Sequence, residues 1–274
     1  MVTLPAISIL GTGSMGGAIL TGLTGPGVSV DGRIRVTNRT VEKAATLESD
    51  LVESFALATT PQANRLAVRR ARVVLIGVKP AMVADLLREI ADDLPPDAIV
   101  ISVAAGVTTA TMEALVPGVV LRAMPNTPAV VSSAVTGIAA GSRATAEDVA
   151  LARSLFETVG TVLEVPEDKI DALSTISGSG PAYVFYFIEE LTRTAVDLGF
   201  TPEEAATMVN GTFLGAALLL AAQDVPPGEL RRRVTSPKGT TERAITVLES
   251  ADLKGLFDRA TAAALVRARE LSES

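Results

Sequence analysis

The sequence predicts an α/β fold in which a doubly wound parallel sheet is followed by an all-helical region. In the first half, short apolar runs such as Val73–Ile76 and Ile99–Ile101 alternate with amphipathic stretches. Runs that are apolar throughout are typical of strands buried on both faces of a parallel sheet. The first apolar run of the chain, Ala6–Leu10, is followed by a glycine-rich turn. After Val165-Pro166, only helical patterns remain.

The predicted strands and helices alternate along the first 165 residues. The strands are Ala6–Leu10, Arg33–Thr37, Phe55–Thr59, Arg72–Val78, Ala98–Val103, Val119–Ala123, Thr136–Ala140 and Thr161–Glu164. The helices are Ser14–Leu23, Val41–Glu48, Gln62–Arg70, Met82–Asp92 and Ala146–Val159. Strand then helix, repeated, is typical of a doubly wound domain, which we place at residues 1–165.

Residues 166–274 form the second predicted domain, with helices at Pro181–Leu198, Pro202–Ala222, Glu242–Ser250 and Leu253–Leu271. The segment Pro202–Ala222 is apolar on nearly all sides, so a helix there must be covered all round. Because the domain is small, we predict that this helix lies in a dimer interface. The alternative is a helix at the centre of its own bundle.

Composition excludes several classes of function. The chain has 274 residues, no Cys, no His and a formal net charge of -7. The missing Cys excludes disulfides and zinc–thiolate sites, and the missing His removes the commonest general acid–base and metal ligand. The acidic balance argues against nucleic-acid binding. The longest apolar stretch, Phe213–Ala222, is too short for a membrane span, and the N-terminus lacks a basic leader, so we expect a cytoplasmic protein.

The strongest local motif is a G-x-G-x-x-G turn between the first strand and the first helix. It comprises Gly11, Thr12, Gly13, Ser14, Met15 and Gly16. In this pattern the first glycine permits a tight turn and the second lets the backbone approach a pyrophosphate at the helix N-terminus. The third permits close packing of helix on strand. The position in the first βα unit predicts a Rossmann-like dinucleotide site.

The tip of the second strand indicates which dinucleotide binds. An NAD site usually has Asp or Glu there to bind the ribose 2′-hydroxyl. This chain has Asn38, Arg39 and Thr40 instead. These donors suit a 2′-phosphate, with Arg supplying charge-assisted hydrogen bonds. We therefore predict NADPH, with NADH as a weaker alternative cofactor; the other reading of Arg39 is a solvated surface residue.

Three more loops follow predicted strands at the edge where open α/β sheets bind ligands. They are Gly77-Val78-Lys79-Pro80, Ser102–Gly106 and Met124-Pro125-Asn126-Thr127-Pro128. Small residues in the first two allow a ligand close to the backbone, although an ordinary βα turn is an equal alternative. In the third, two prolines stiffen the loop. Asn126 there offers both a donor and an acceptor.

The helical region holds two unusual loops, each before a helix. They read Ser177-Gly178-Ser179-Gly180-Pro181-Ala182-Tyr183 and Thr235-Ser236-Pro237-Lys238-Gly239-Thr240-Thr241. Free N–H groups and hydroxyls at a helix N-terminus form a natural site for an anion such as a carboxylate. A capped helix start needs the same residue types, and that alternative stays open from the residues alone.

The ordered motifs G-T-G-S-M-G, V-K-P, S-V-A-A-G, M-P-N-T-P, S-G-S-G-P-A-Y and T-S-P-K-G-T-T resemble those of the pyrroline-5-carboxylate reductases. The resemblance covers essentially the whole chain, and its last two motifs are the most specific. One position departs, because the family usually has Gly where this chain has Lys238. Either a positive φ makes Lys costly there, or its charge lies beside an anionic substrate.

The resemblance implies NADPH-dependent reduction of 1-pyrroline-5-carboxylate to L-proline, the last step of proline biosynthesis, by a homodimer or larger homo-oligomer. The residues it implies at the dinucleotide are the Gly11–Gly16 motif, Asn64, Val78, Lys79 and Pro80, and we add Asn126 to them. Ser236, Gly239 and Thr240 would hold the substrate carboxylate, and Thr241 would place its hydroxyl at the ring nitrogen as the catalytic group. No metal is expected.

Two other functions remain as alternatives. The β-hydroxyacid dehydrogenases share the glycine-rich opening but carry a catalytic Lys, with Asn four residues on, in the helix after their interdomain segment. The corresponding stretch here, Pro181–Leu191, has neither residue type. A dinucleotide-binding sensor is the second alternative, and the separate anion-ready loop at Thr235–Thr241 argues against it.

Overall fold

The computed structural model describes residues 1–273, with side chains to residue 270. Its contacts divide the chain into two compact units. The α/β unit is Met1–Ser179 together with the end of the last helix from Ala264 onward, and the helical unit is Gly180–Ala263.

Strands occur only before residue 165 among the described residues. They are β1 (Val2–Leu4), β2 (Ile7–Leu10), β3 (Val28–Val30), β4 (Ile34–Asn38), β5 (Val52–Ala56), β6 (Val73–Ile76), β7 (Ile99–Ser102), β8 (Val119–Met124), β9 (Ala134–Ala140) and β10 (Gly160–Glu164). Eight of them form one sheet in the order β10-β9-β8-β7-β6-β2-β4-β5, and β1 pairs with β3 separately. The pairs are parallel except β8 with β9.

The helices of the first half alternate with the strands as in a doubly wound fold, and the remaining helices follow the last strand. They are α1 (Ser14–Leu23), α2 (Val41–Leu47), α3 (Ala63–Val68), α4 (Pro80–Ile90), α5 (Thr109–Glu113), α6 (Ala146–Phe156), α7 (Ile170–Leu173), α8 (Gly180–Asp197), α9 (Pro202–Ala222), α10 (Pro227–Arg233), α11 (Thr240–Ser250) and α12 (Leu253–Glu273). A π-helical turn, Ser174–Gly178, lies between α7 and α8.

Alternate residues of the central strands enter two separate cores, one on each face of the sheet. Ile9, Leu75 and Ile101 belong to the core that also contains residues of α1 and α6. Their neighbours Val74 and Val100 belong to the core that contains residues of α3 and α4. Because successive side chains of a strand point to opposite faces, the strands must be apolar throughout. The predicted doubly wound sheet is confirmed.

The helix α6 begins with a capping box that also anchors the sheet. Thr145 Oγ1 accepts a hydrogen bond from the Asp148 N–H, and Asp148 Oδ2 accepts one from the Thr145 N–H at 3.0 Å. Burial by itself would raise the pKa of Asp148, but hydrogen bonds from Thr145 and Arg72 outweigh it and hold that pKa below its ordinary value. The ionised carboxylate thereby joins α6 to the strand that starts beside Arg72.

Most predicted elements agree with the structure to within three residues at each end, although one edge strand was shifted as a whole and several short elements were missed. The prediction of Phe55–Thr59 was placed too late, since β5 covers Val52–Ala56 and pairs with β4 through Ile34 opposite Val52. The short strands β1 and β3 were not predicted, and neither were α5, α7 and the π-helical turn.

The helical unit leaves most of its apolar side chains uncovered. Its buried apolar residues are Ala195, Ala205 and Val209, all on α8 and α9. On α9, by contrast, Leu214 and Leu218 are 63% and 61% exposed. The helix α9 is therefore not the centre of a bundle built from the described part of this chain, and its apolar surface needs another partner.

The helix α9 is long and apolar enough to cross a membrane, whereas the sequence analysis predicted no membrane-spanning segment. This is weak evidence, because interface helices and core helices of other proteins pass the same test. The described residues hold one such helix.

Candidate active site

A cavity of about 710 Å³ opens at the carboxyl ends of β2, β4 and β6 in the α/β unit. Most of the residues predicted to bind the dinucleotide line it: Gly11, Thr12, Gly13, Asn38, Arg39, Thr40, Asn64, Val78 and Lys79. The strand order reverses between β2 and β6, which is where open α/β sheets bind ligands.

The glycine-rich turn has the backbone geometry that the motif predicts. Gly11 has φ of +90°, a value that L side chains rarely adopt. A Cβ on Gly16 would lie 2.4 Å from the Gly11 carbonyl oxygen, so only Gly permits this packing of α1 on the turn. Gly13 is the N-cap of α1 and supplies no side-chain cap, which leaves N–H groups of the first turn available to an anion.

Asn38, the last residue of β4, and the two residues after it differ in how free their side chains are. Asn38 is buried, and its amide accepts a hydrogen bond from the Thr12 hydroxyl and donates to Ser54 Oγ at 3.3 Å. Thr40 caps α2 by accepting from the Lys43 N–H. Arg39 is exposed at the cavity and forms no ion pair with the described residues. The guanidinium of Arg39 is therefore the freest of these groups to bind an anion.

Asn64, which also lines the cavity, is oriented by a carboxylate from α4. Its Nδ2 donates to Glu89 Oε2 at 3.1 Å, and the side chain is buried. Since the carboxylate must accept, the carbonyl oxygen of the Asn64 amide stays available to a ligand. Lys79 is the N-cap of α4 and Pro80 its first residue.

The remaining predicted cofactor residues lie outside the cavity lining. Ser14, Met15 and Gly16 form the first turn of α1, where Met15 packs against the core of that face. Pro80 is exposed at the start of α4. The cavity does bring in residues that were not predicted, among them Lys43, Asp85 and Glu89.

Asn126 is engaged inside the protein. It follows β8 and is only 7% exposed. Its Oδ1 accepts from the Val135 N–H at 2.9 Å, and its Nδ2 donates to the Ser177 carbonyl oxygen at 2.9 Å. It does not line the cavity, so its predicted contact with the cofactor stays an untested prediction.

The loop before α11 in the helical unit has free hydrogen-bonding groups. Gly239 is the N-cap of α11 and provides no side-chain cap. The hydroxyls of Ser236, Thr240 and Thr241 have no hydrogen-bond partner among the described side chains and backbone. The loop thus offers uncapped N–H groups and hydroxyl donors together, as a carboxylate site requires.

Lys238 has a φ of +61°, in the left-handed region. Of the two explanations for its departure from Gly, the structure therefore supports the costly backbone conformation. Its N–H donates to Glu242 Oε2 at 2.9 Å, which ties the loop to the first turn of α11.

Comparison with known proteins assigns both regions of the chain. A family model described as pyrroline-5-carboxylate reductase dimerisation matches residues 167–271. A second, described as NADP oxidoreductase coenzyme F420-dependent, matches residues 6–106. A pyrroline-5-carboxylate reductase of Pseudomonas aeruginosa is 36% identical over 272 residues, covering 98% of this chain and 97% of the relative. The chain belongs to the pyrroline-5-carboxylate reductase family.

Members of this family from other kingdoms are as similar. The reductase of the archaeon Methanosarcina acetivorans is 36% identical, with 97% of this chain and 98% of the relative covered. That of Arabidopsis thaliana is 35% identical, with 98% and 96% covered. The family resemblance drawn from the motifs is confirmed.

Solved structures agree with the observed fold. A pyrroline-5-carboxylate reductase from Coxiella burnetii has a TM-score of 0.90 at 39% identity, with 98% of both chains covered. A Plasmodium falciparum pyrroline carboxylate reductase with NADP bound has a TM-score of 0.81 at 23% identity, with 97% of this chain and 98% of that one covered. At that identity the second comparison shows the fold alone.

Proposed function

We propose that this protein reduces 1-pyrroline-5-carboxylate to L-proline with NADPH, as the last step of proline biosynthesis. Its family membership supports the reaction. The observation that carries the proposal is the loop Ser236–Thr241, because it is a second anion-ready site in a chain that already has a dinucleotide cavity. A dinucleotide sensor has no need of such a site.

The dinucleotide is proposed to lie in the cavity of the α/β unit, with its pyrophosphate at the N-terminus of α1. The fit is supported by the uncapped first turn and by the close approach that Gly11 and Gly16 permit. Val78, Lys79 and Asn64 complete the proposed set. Ser14 and Met15 are proposed to contribute backbone N–H groups at the start of α1, and Pro80 to contact the dinucleotide with its ring at the start of α4. When bound, NADPH supplies the hydride.

The preference for NADPH over NADH is assigned to Arg39, supported by Lys43. Both cations line the cavity, and neither forms an ion pair with a described residue. No carboxylate stands at the tip of β4 to bind a ribose 2′-hydroxyl, since Asn38 is the last residue of that strand. We propose that Asn38 and Thr40 support Arg39 through their links to Thr12 and α2.

The substrate carboxylate is proposed to bind Ser236, Gly239 and Thr240 at the N-terminus of α11. Thr241 then orients the ring nitrogen and relays its proton. A protonated C=N bond is already electrophilic, so the chain needs neither His nor a metal to activate it. Positioning can supply ~7–11 kcal/mol of the barrier in well-oriented reactions, and it is the main contribution proposed for this site.

NADPH oxidation by the purified protein with 1-pyrroline-5-carboxylate tests the reaction, and NADH run beside it tests the cofactor. Turnover that favours NADPH supports both assignments. Turnover that favours NADH would support the proposed reaction but contradict the assignment of cofactor preference to Arg39. No turnover, in protein shown to bind NADPH, would overturn the proposed reaction.

The assembly is proposed to be a homodimer formed through the helical region, located in the cytoplasm. The uncovered leucines of α9 support the homodimer, as does the dimerisation family model that matches residues 167–271. We keep the proposed domain boundary at residues 165 and 166, close to the start of that match, although the contacts divide the chain later, after Ser179. No nucleic-acid or membrane partner is proposed.

The β-hydroxyacid dehydrogenase alternative finds no support in the helix α8. That helix, Gly180–Asp197, contains neither Lys nor Asn. A ketone reduction there would lack its proton donor.

A further inference from the structure

A buried amide joins two motifs of the α/β unit that the proposed reaction does not use. Asn126 belongs to M-P-N-T-P, at the carboxyl end of β8, and Ser177 belongs to the π-helical turn Ser174–Gly178. Since β8 is parallel to β7, Asn126 lies at the same edge of the sheet as the dinucleotide cavity. The hydrogen bond from Nδ2 of Asn126 to the Ser177 carbonyl oxygen therefore holds the turn at the cofactor edge.

The orientation of this amide is fixed by its partners. The Val135 N–H needs an acceptor, and the Ser177 carbonyl needs a donor. A flipped amide would set donor against donor and acceptor against acceptor, with the side chain only 7% exposed. Asp, which has the same shape, satisfies the first partner and not the second when it is ionised.

The Ser177 carbonyl depends on Asn126 Nδ2 as its donor because a proline stands four residues after Ser177. In an uninterrupted α-helix its donor would be the N–H of residue 181, and Pro181 has none. The helix is already widened here, because the Ser179 N–H donates to the Ser174 carbonyl, five residues back, at 2.9 Å. Such single π turns concentrate at functional sites.

We propose that Asn126 is a positioning residue for the reaction: it holds the Ser177 carbonyl, and so fixes the π-helical turn from which the chain leaves the cofactor-binding edge for the helical region. In this proposal Asn126 acts through the placement of the backbone, in place of the direct contact with the cofactor that the sequence predicted. The proposal rests on the proposed function for its kinetic consequences, while the geometry of the turn is independent of it.

The test compares Asn126→Ala and Asn126→Asp with the wild-type chain. Asn126→Ala removes the donor at every pH, and we expect kcat to fall roughly 10- to 100-fold while the Kd for NADPH stays within about threefold. Asn126→Asp regains a donor when its carboxyl is protonated. Its deficit in kcat should therefore shrink as the pH falls, whereas that of Asn126→Ala should not.

Hydrogen exchange supplies a readout that does not depend on activity. Amides of the peptide containing Ser174–Ser179 should exchange faster in Asn126→Ala than in the wild type. Ile90→Val, which trims a fully buried side chain in the core on the α3–α4 face, is the destabilised control and should leave that peptide and kcat unchanged.

Two results would overturn the proposal. One is a rise in the NADPH Kd that accounts for the whole loss in Asn126→Ala, since this would make Asn126 a direct cofactor contact. The other is unchanged exchange of Ser174–Ser179 in that variant. If the wild-type chain itself failed to reduce 1-pyrroline-5-carboxylate, the proposed function would fail, and the exchange experiment would still decide whether Asn126 holds the turn.

Discussion

The two units of this chain bury their apolar residues in opposite ways. In the α/β unit, Ile9, Leu75 and Val100 are fully buried, and each sheet face is covered by helices of the same unit. In the helical unit, Leu214 and Leu218 of α9 are largely exposed. The first unit is complete within one chain, whereas the second needs a second copy, which accords with the homo-oligomerisation of the family.

The units also differ in what they contribute to the proposed reaction. The α/β unit holds a cavity lined by three cations that form no ion pair with the described residues, Arg39, Lys43 and Lys79. The helical unit holds three hydroxyls without a described hydrogen-bond partner, Ser236 in the loop before α11 and Thr240 and Thr241 in its first turn. Cofactor preference and catalysis of the substrate step should therefore be separable by mutation, and the following experiments test this separation.

The largest effect is expected in the helical unit, from Thr241→Ala. If Thr241 relays the proton to the ring nitrogen, kcat should fall roughly 10²- to 10⁴-fold with no change in the Kd for NADPH. Thr246→Ala is the matched control on the same helix, because its exposed hydroxyl only bonds back to the Glu242 carbonyl. Steady-state rates and fluorescence titration of NADPH measure both quantities. A rate within threefold of wild type would remove Thr241 from the chemistry.

The second effect concerns assembly. Leu218→Glu should raise the dimer dissociation constant about 10³-fold, since a symmetric interface loses two buried leucines at ~2 kcal/mol each. Leu51→Glu is the control, because Leu51 is an exposed leucine of the α/β unit, at 56%. Analytical ultracentrifugation over a concentration series separates them. Equal behaviour of the two variants would mean that α9 lies outside the interface.

The third effect is confined to the α/β unit. Arg39→Ala should raise KM for NADPH roughly 10- to 100-fold and change KM for NADH less than twofold, because only NADPH carries the 2′-phosphate that a charge-assisted hydrogen bond would reach. Arg70→Ala is the control, as this exposed arginine does not line the cavity. A parallel loss with both cofactors would assign Arg39 to a shared part of the dinucleotide.

The smallest effect is a gain in stability. Lys238→Gly should stabilise the folded chain by about 1 kcal/mol, because Gly adopts the observed positive φ without the Cβ penalty. Ala262→Gly lies at an exposed position in the middle of α12 and should instead destabilise by about the same amount. Urea unfolding measures both. A loss of stability in Lys238→Gly would show that the lysine side chain makes a compensating contact.

The sequence predicted the central strands and the long helices because their signals are continuous. Val73–Ile76 is apolar throughout, and Thr201-Pro202 marks the start of α9. The edge strand β5 was misplaced because the apolar run begins at Phe55, whereas its register with β4 starts at Val52. The ends of such an edge strand are set by its pairing with the neighbouring strand, and a single sequence does not carry that information.

The parts of the site that are formed by continuous sequence motifs could be predicted. Gly11, Gly13 and Gly16 were placed by their spacing, and their geometry agrees. Lys43 could have been found, since it lies one turn into the helix that Thr40 caps. The engagement of Asn126 could not, because Val135 and Ser177 reach it only through the tertiary fold.

Two described helices have glycine as the N-cap and no side-chain cap, α1 with Gly13 and α11 with Gly239, while Thr caps α2, α5, α6 and α9. If the ligands bind as proposed, each serves as the missing cap, the dinucleotide for one unit and the substrate carboxylate for the other. The cofactor and the substrate would then stabilise the folded state by satisfying these free N–H groups. Its lifetime against proteases should lengthen when reducing cofactor and proline precursor are plentiful and shorten when they are scarce.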